Sequence, residues 1–329
     1  MKKARVDYIG LFRSFGIILM IMGHIGFGGL FDKWIHAFHM PMFFFVSGYF
    51  YKQIEKDDLR GYARVKAKSL LLPYAVFGIS QLIVLALISD SYKSLMPLKL
   101  YLFENTNGMQ PVPGALWFLT SMFIAEIVYA LIRAFVPNRS AVQIVVAITI
   151  VIGMAIPNYT RLPWGADTAL VGVGFLHAGS LFRQNDKLSK LLNLKLLPAI
   201  LVGGGITALI FLNYSVNLRS GNYHIWILFW VNAVGAIIVG WNIARLLDQR
   251  LADVKYIKVI REWLIGVGKN SIIYLCLNQF VIAVITKALG HFGSYGVILK
   301  IPELLLTLIA LCVAEKVICN TKLKVLIGR

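Results

Sequence analysis

The chain has 329 residues, 58% of them hydrophobic and 15% charged, and a formal charge of +18 at pH 7. It is too apolar for an ordinary soluble domain. The charge does not indicate a nucleic-acid partner either, because the basic residues are scattered among short connections instead of forming one aromatic-laced patch.

Apolar runs, each roughly long enough to cross a hydrocarbon core of about 30 Å, recur along the chain. They predict an all-α polytopic membrane protein, a single domain over residues 1–329 with about ten transmembrane helices. The expected spans are 9–27, 35–51, 70–89, 114–135, 141–156, 166–182, 194–213, 224–246, 270–289 and 297–318. The basic start and apolar centre of the first run are similar to a secretory signal. Arg13 and His24 interrupt that centre and a second span follows at once, so the first helix is expected to be retained.

Threading the spans alternately puts twenty-five of the 33 Lys and Arg residues on one side and six on the other, with Arg13 and Lys300 inside spans. The excess assigns both termini to the cytoplasm and the protein to the cell (inner or cytoplasmic) membrane. The longest outer connection, 90–113, ends its periodicity in Pro and Gly and reads as an open loop or as a substrate lid. No internal repeat or low-complexity tract is present. Cys276, Cys312 and Cys319 have no metal-ligand spacing and read as plain membrane hydrophobes, so no metal is expected.

An ionisable group within an apolar span is costly and marks a candidate functional site. Arg13 and His24 are eleven residues apart, close to three helical turns, so they share one face of the first helix and lie about 16 Å apart along its axis. His36 and His39, three apart, are neighbours on the next helix. Histidine suits a general base near neutral pH, and arginine can grip a phosphate or carboxylate or stabilise an oxyanion. The plainer readings are imidazoles bonded to backbone carbonyls at helix ends and an Arg13 that snorkels to the interface.

Glu126, deep in the fourth span, needs a partner, either a histidine or Arg13 that it would orient or a structural interhelical bond. The cations of 60–69, Arg64, Lys66 and Lys68 among them, form a docking place for phosphates or simply follow the positive-inside bias. Trp117, Trp164 and Trp226 fall near outer span ends as interface anchors, and Trp117 is also placed to stack on a sugar ring.

Four stretches carry a resemblance: Arg13-x10-His24, FHMPMFFFVSGYFY at 38–51, LWFL at 116–119 and GKNSIIYL at 268–275. Together they resemble the acyltransferase-3 family of integral-membrane O-acyltransferases, most closely its fucose 4-O-acetylase-like branch, along essentially the whole chain. The resemblance implies a ten-helix enzyme that transfers an acyl group, usually acetyl from acetyl-CoA, to a hydroxyl of a cell-envelope carbohydrate. By motif match Arg13 and His24 correspond to the family's essential pair, His39 to the histidine of the FHMP-like segment, and Ser47-Gly48 to the following SG.

The chain departs from the family at two places. Lys66 and Ser69 stand where an Arg-x-x-Arg pair often precedes LLxPY, and Asn278-Gln279 occupies the region where many relatives have a ninth-helix histidine.

The expected function is therefore membrane O-acetyl transfer from cytoplasmic acetyl-CoA to a polysaccharide or lipid-linked sugar. His24 is the expected base, assisted by Arg13, His39 and Glu126. Arg13, Arg64, Lys66 and Lys68 are expected on the CoA, and His36, Ser47 and Trp117 on the acceptor. The other class weighed is a proton-coupled transporter of a sugar or glycan, with the histidines as a relay. Duplicated halves and matching Gly/Pro-broken helices, which often mark that class, are not found. The expected partners are acetyl-CoA, a carbohydrate and the lipid bilayer. The oligomeric state stays open, a homo-oligomer included.

Overall fold

The structure, a computed structural model, describes residues 7–106, 114–251, 257–290 and 297–329. These residues form α-helices joined by short turns and 3-10 segments, with one isolated antiparallel bridge, Asn217 to Asn222, and no strand among them. The helices are α1 Asp7–Ile25, α2 Gly29–His36, α3 Pro41–Tyr49, α4 Leu59–Lys66, α5 Leu72–Ile88, α6 Met96–Phe103, α7 Trp117–Phe135 and α8 Arg139–Ala155. They continue with α9 Ala166–Gln184, α10 Asp186–Leu191, α11 Leu196–Leu212, α12 Trp226–Leu251, α13 Lys258–Lys269, α14 Ser271–Leu289 and α15 Val297–Asn320.

Among the described residues, six stretches are helical, long and apolar enough to cross a membrane: Asp7–Ile25, Lys56–Ile88, Gly114–Phe135, Arg139–Asn158, Trp226–Arg250 and Ser271–Leu289. Leu196–Leu212 is apolar but shorter.

The expected second span, 35–51, is broken. α2 and α3 are eight and nine residues long and are joined by a turn over 37–40. A broken helix is tolerated at membrane depth where protein surrounds the freed backbone groups, and Ala37, Phe38, His39 and Met40 are all buried. The imidazoles bond back to the preceding turn, where His36 Nδ1 donates to Asp32 O at 2.7 Å and His39 Nδ1 to Ile35 O at 2.8 Å, a carbonyl that also accepts from the Phe38 and His39 N–H groups.

Part of the expected 90–113 loop is also ordered differently. It contains α6, whose Tyr101 stacks on Tyr74 at 4.4 Å between ring centroids, and each hydroxyl donates to the other residue's carbonyl. Residues 107–113 of that connection, and the expected N-terminal cations Lys2, Lys3 and Arg5, lie outside the described residues. Lys300, placed within the last expected span, donates to Gly26 O just beyond α1.

α9 is the most enclosed of these helices and packs on α3, α7 and α8. Its residues are small instead of strongly apolar because they face other helices, where close backbone approach replaces lipid contact. A Cβ on Gly48 of α3 would collide with the Leu176 carbonyl, and one on Gly179 of α9 with the Phe45 carbonyl. Those obstacles are backbone atoms, which cannot rotate away. The α3–α9 crossing therefore depends on both glycines, and it sets where Ser47 points.

Gly48→Ala and Gly179→Ala are therefore each expected to cost at least the 1–3 kcal/mol typical of overpacking and to lower the unfolding temperature in detergent. Gly205→Ala, on α11 with nothing within 4 Å of the added carbon, is expected to be neutral or slightly stabilising. Equal thermal stability of all three variants would contradict the crossing.

Candidate functional site

α1 carries Arg13 and His24 on one face as its periodicity requires, and each lines a different cavity. The first, of about 320 Å³, is bounded by Arg13 and Ile17 of α1, Ser47 of α3, Lys66 at the end of α4, Phe118 and Glu126 of α7, and the first residues of α14. The second, of about 180 Å³, is lined by His24, His36, His39, Trp117, Arg219 and Gln279, with Met20 and Leu218 among the others.

The two cavities are close neighbours. Ile17 faces one and Met20 the other, about 4.5 Å along α1, and Phe118 and Trp117 are consecutive. Leu275 and Gln279 divide in the same way, one turn apart on α14. One layer of side chains on α1, α7 and α14 separates a cationic chamber from a histidine chamber.

In the first chamber the buried carboxylate of Glu126, 2% exposed, bonds to Lys66 Nζ at 2.8 Å and accepts hydrogen bonds from Ser47 Oγ and Tyr62 OH. Its partners are thus Lys66, Ser47 and Tyr62, not a histidine and not Arg13. Ser47, read from the sequence as an acceptor contact, is held by Glu126 in the cationic chamber. Lys66 precedes a π-helical turn, Ala67–Leu71, and such turns often mark functional positions. Of the other two cations expected here, Arg64 and Lys68 are exposed and do not line the chamber.

Arg13 is partly buried, and among the described residues it has no hydrogen bond and no carboxylate within ion-pairing distance. A guanidinium so placed can take a phosphate or carboxylate from a ligand in bidentate fashion.

His24 lies in the last turn of α1 with its ring accessible, nearer the helix end than its position in the expected span suggested. Its Nδ1 is 2.6 Å from Asn278 Oδ1, a residue 254 positions away. The Asn278 amide nitrogen donates to Leu275 O at 2.7 Å and Tyr274 O at 3.1 Å, which leaves Oδ1 purely an acceptor. The network therefore assigns the His24 proton to Nδ1 and leaves Nε2 with its lone pair. His36 and His39 are fixed in the same tautomer by their backbone bonds, with ring centroids 5.1 Å apart.

Gln279 accepts from the Ala115 N–H at 2.7 Å, so its free capacity is the amide N–H₂ group. Trp117, 5% exposed, lies beside it on the chamber wall. Three histidines share this chamber, but among the described residues no group of His, Cys, Asp or Glu is arranged to hold a metal.

Asn278, Gln279, Tyr62 and Arg219 were not selected from the sequence as site residues. The first two enter the sequence reading as a departure from the family pattern, and Arg219 is one of the six cations that threading puts on the outer side. A signal existed for Asn278 alone, a carboxamide inside an apolar span, which must find partners. Elsewhere, Asn270 and Tyr274 of the GKNSIIYL stretch donate to Glu315 of α15 at 2.5 and 2.6 Å, so there the motif ties helices together. His177 sits 3.3 Å from Tyr129 OH, and it lines neither chamber.

The tautomer assignment predicts the ¹⁵N spectrum of histidine-labelled protein above the histidine pKa. The His24 resonances, identified by their loss in His24→Gln, should report a protonated Nδ1. Asn278→Leu should convert them to a mixture of tautomers, and an Nε2–H form in the unsubstituted protein would refute the assignment.

The family model described as an acyltransferase domain, that of acyltransferase-3, matches residues 6–314. No curated protein and no solved structure matches the chain. The match spans the Arg13–His24 helix and the residues that line both chambers, and the chain belongs to the acyltransferase-3 family of membrane acyltransferases.

Proposed function

We propose that the protein is an O-acetyltransferase of the fucose 4-O-acetylase-like branch, moving acetyl from cytoplasmic acetyl-CoA to a hydroxyl of a cell-envelope carbohydrate, a polysaccharide or lipid-linked sugar. The observation that carries this reading is the pairing on α1 of an arginine that has no counter-ion among the described residues with a histidine whose Nε2 is unprotonated, in adjoining chambers. CoA phosphates are held by Arg13 and Lys66. The thioester passes the layer formed by Ile17, Phe118 and Leu275 to reach His24.

His24 Nε2 takes the proton of the acceptor hydroxyl as its oxygen attacks the thioester carbonyl. The carbon–sulfur bond breaks, and the proton passes to the departing CoA thiolate. The free Gln279 amide N–H₂ on the chamber wall is the donor for the developing oxyanion. Trp117 offers a face to the sugar ring, and His36 and His39 border it. A two-step route through an acyl-enzyme uses the same groups.

In the membrane, we place the Arg13 chamber toward the cytoplasm and the histidine chamber toward the outer side. α2 and α3 together make one broken crossing, so that ten crossings leave both termini inside. The charge excess of the connections supports this orientation in the cell membrane.

Cysteine labelling at positions 94 and 189 is expected to reach only Ser94→Cys from outside intact cells. Equal labelling of both would refute the orientation and, with it, donor entry from the cytoplasm.

Substitution separates the two chambers. Arg13→Ala is expected to weaken acetyl-CoA binding by roughly 1.5–3 kcal/mol, the range for hydrogen bonds to charged groups. His24→Ala is expected to bind acetyl-CoA almost normally and to lose transfer, because a base acts in the transition state. Purified protein should also exchange or hydrolyse acetyl-CoA without any ion gradient, which a proton-coupled transporter would not do. Near-normal transfer by His24→Ala at matched protein levels would overturn the assignment.

A further inference from the structure

Arg219 lies on the connection between α11 and α12, and two elements of the fold hold its backbone. Arg161 Nη2 donates to Arg219 O at 2.8 Å, and Arg161 Nε is itself locked on Asp167 Oδ2 at 2.5 Å. Thr168 Oγ1 donates to Leu218 O at 2.9 Å, and Asp167 and Thr168 are both fully buried at the start of α9. Reciprocal backbone bonds between Asn217 and Asn222, at 2.9 and 3.0 Å, close the turn. The loop is thus clamped to the most enclosed helix of the bundle.

The side chain so positioned is poorly satisfied. Its polar contact among the described residues is a long one, Nη2 to Asn105 O at 3.4 Å, and Nε is buried with no acceptor. Arg161, by contrast, has its carboxylate. Among the described residues, no Asp or Glu lines the histidine chamber that Arg219 faces. Burial, and after it the neighbouring Arg161 charge, press the Arg219 pKa below the ordinary arginine value. Removing a guanidinium from water without a counter-charge is costly, so a clamped arginine facing an acid-free cavity leaves room for an anion that arrives with the ligand.

We propose that Arg219 is the anion-binding group of the histidine chamber and that the acceptor sugar bears a fixed negative charge, a phosphate or a carboxylate. The planar guanidinium matches either group in bidentate geometry. Trp117 and Gln279 flank it, so the charged substituent docks at Arg219 while a hydroxyl of the same ring turns toward His24. The inference rests on assigning this chamber to the acceptor. It goes beyond that reading by stating which sugars enter.

The test uses full-length protein in nanodiscs, with glucose 1-phosphate, glucuronate and glucose as probes and thermal protection as the readout. At least one charged sugar is expected to bind ten times more tightly than glucose, and which one does so separates phosphate from carboxylate recognition. Arg219→Gln should erase that ratio while acetyl-CoA binding is kept. Arg219→Lys, which retains the charge but not the fork, should preserve part of it. Arg13→Ala should weaken acetyl-CoA binding and leave the sugar ratio intact.

A ratio near one for both charged sugars, or an undiminished ratio in Arg219→Gln, would overturn the proposal, as would Arg219 variants that lower only kcat. Charged-sugar binding that depends on Arg219 in a protein that does not bind acetyl-CoA would instead overturn the acetyl-transfer reading and leave the anion site standing.

Discussion

Glu126 sets the charge balance of the protein interior. A carboxylate buried at this depth must be neutralised or fully hydrogen-bonded, and it achieves this by joining three helices: Lys66 and Tyr62 of α4, Ser47 of α3 and its own α7. Because the one carboxylate on the chamber wall is committed to Lys66, Arg13 is left without a counter-ion there. The glycine crossing of α3 and α9 supports the same arrangement, since it fixes the end of α3 from which Ser47 reaches Glu126. A shift of that crossing would separate the carboxylate from a hydroxyl and alter the chamber wall.

On the proposed function, the two chambers divide two demands. A donor carrying several phosphates needs cations, whereas a base that removes a proton from an alcohol must itself be neutral. Placing both on one helix about three turns apart keeps Arg13 distant from His24, with a layer of apolar side chains, Ile17, Phe118 and Leu275 among them, in between. The division repeats on α7 and α14, so three helices rather than one define the boundary between the chambers.

All three histidines of the second chamber donate through Nδ1, but for different reasons. His36 and His39 bond back to carbonyls one turn earlier, the structural role weighed from the sequence, and that role leaves their Nε2 atoms unprotonated as well. His24 depends on a tertiary partner, Asn278, whose own amide is oriented by two backbone carbonyls of α14. A neutral carboxamide in this position fixes the tautomer without adding charge, which suits a site bordered by Arg219.

The sequence by itself determined the membrane class, the family and the Arg13–His24 face, because each follows from local periodicity or from short motifs that can be read in the linear chain. It also identified Glu126 as a residue that must be paired, since no unpaired carboxylate is tolerated within an apolar span. Which partner it takes was decided by the packing of α4 against α7, and that choice moved Ser47 from the expected acceptor site to the cationic chamber. The tertiary structure alone brought Asn278 to His24 across 254 positions and clamped the Arg219 loop to α9. Hydropathy patterns record only that a side chain is polar within an apolar run. The direction in which its hydrogen bonds point is set when helices distant in sequence close around it.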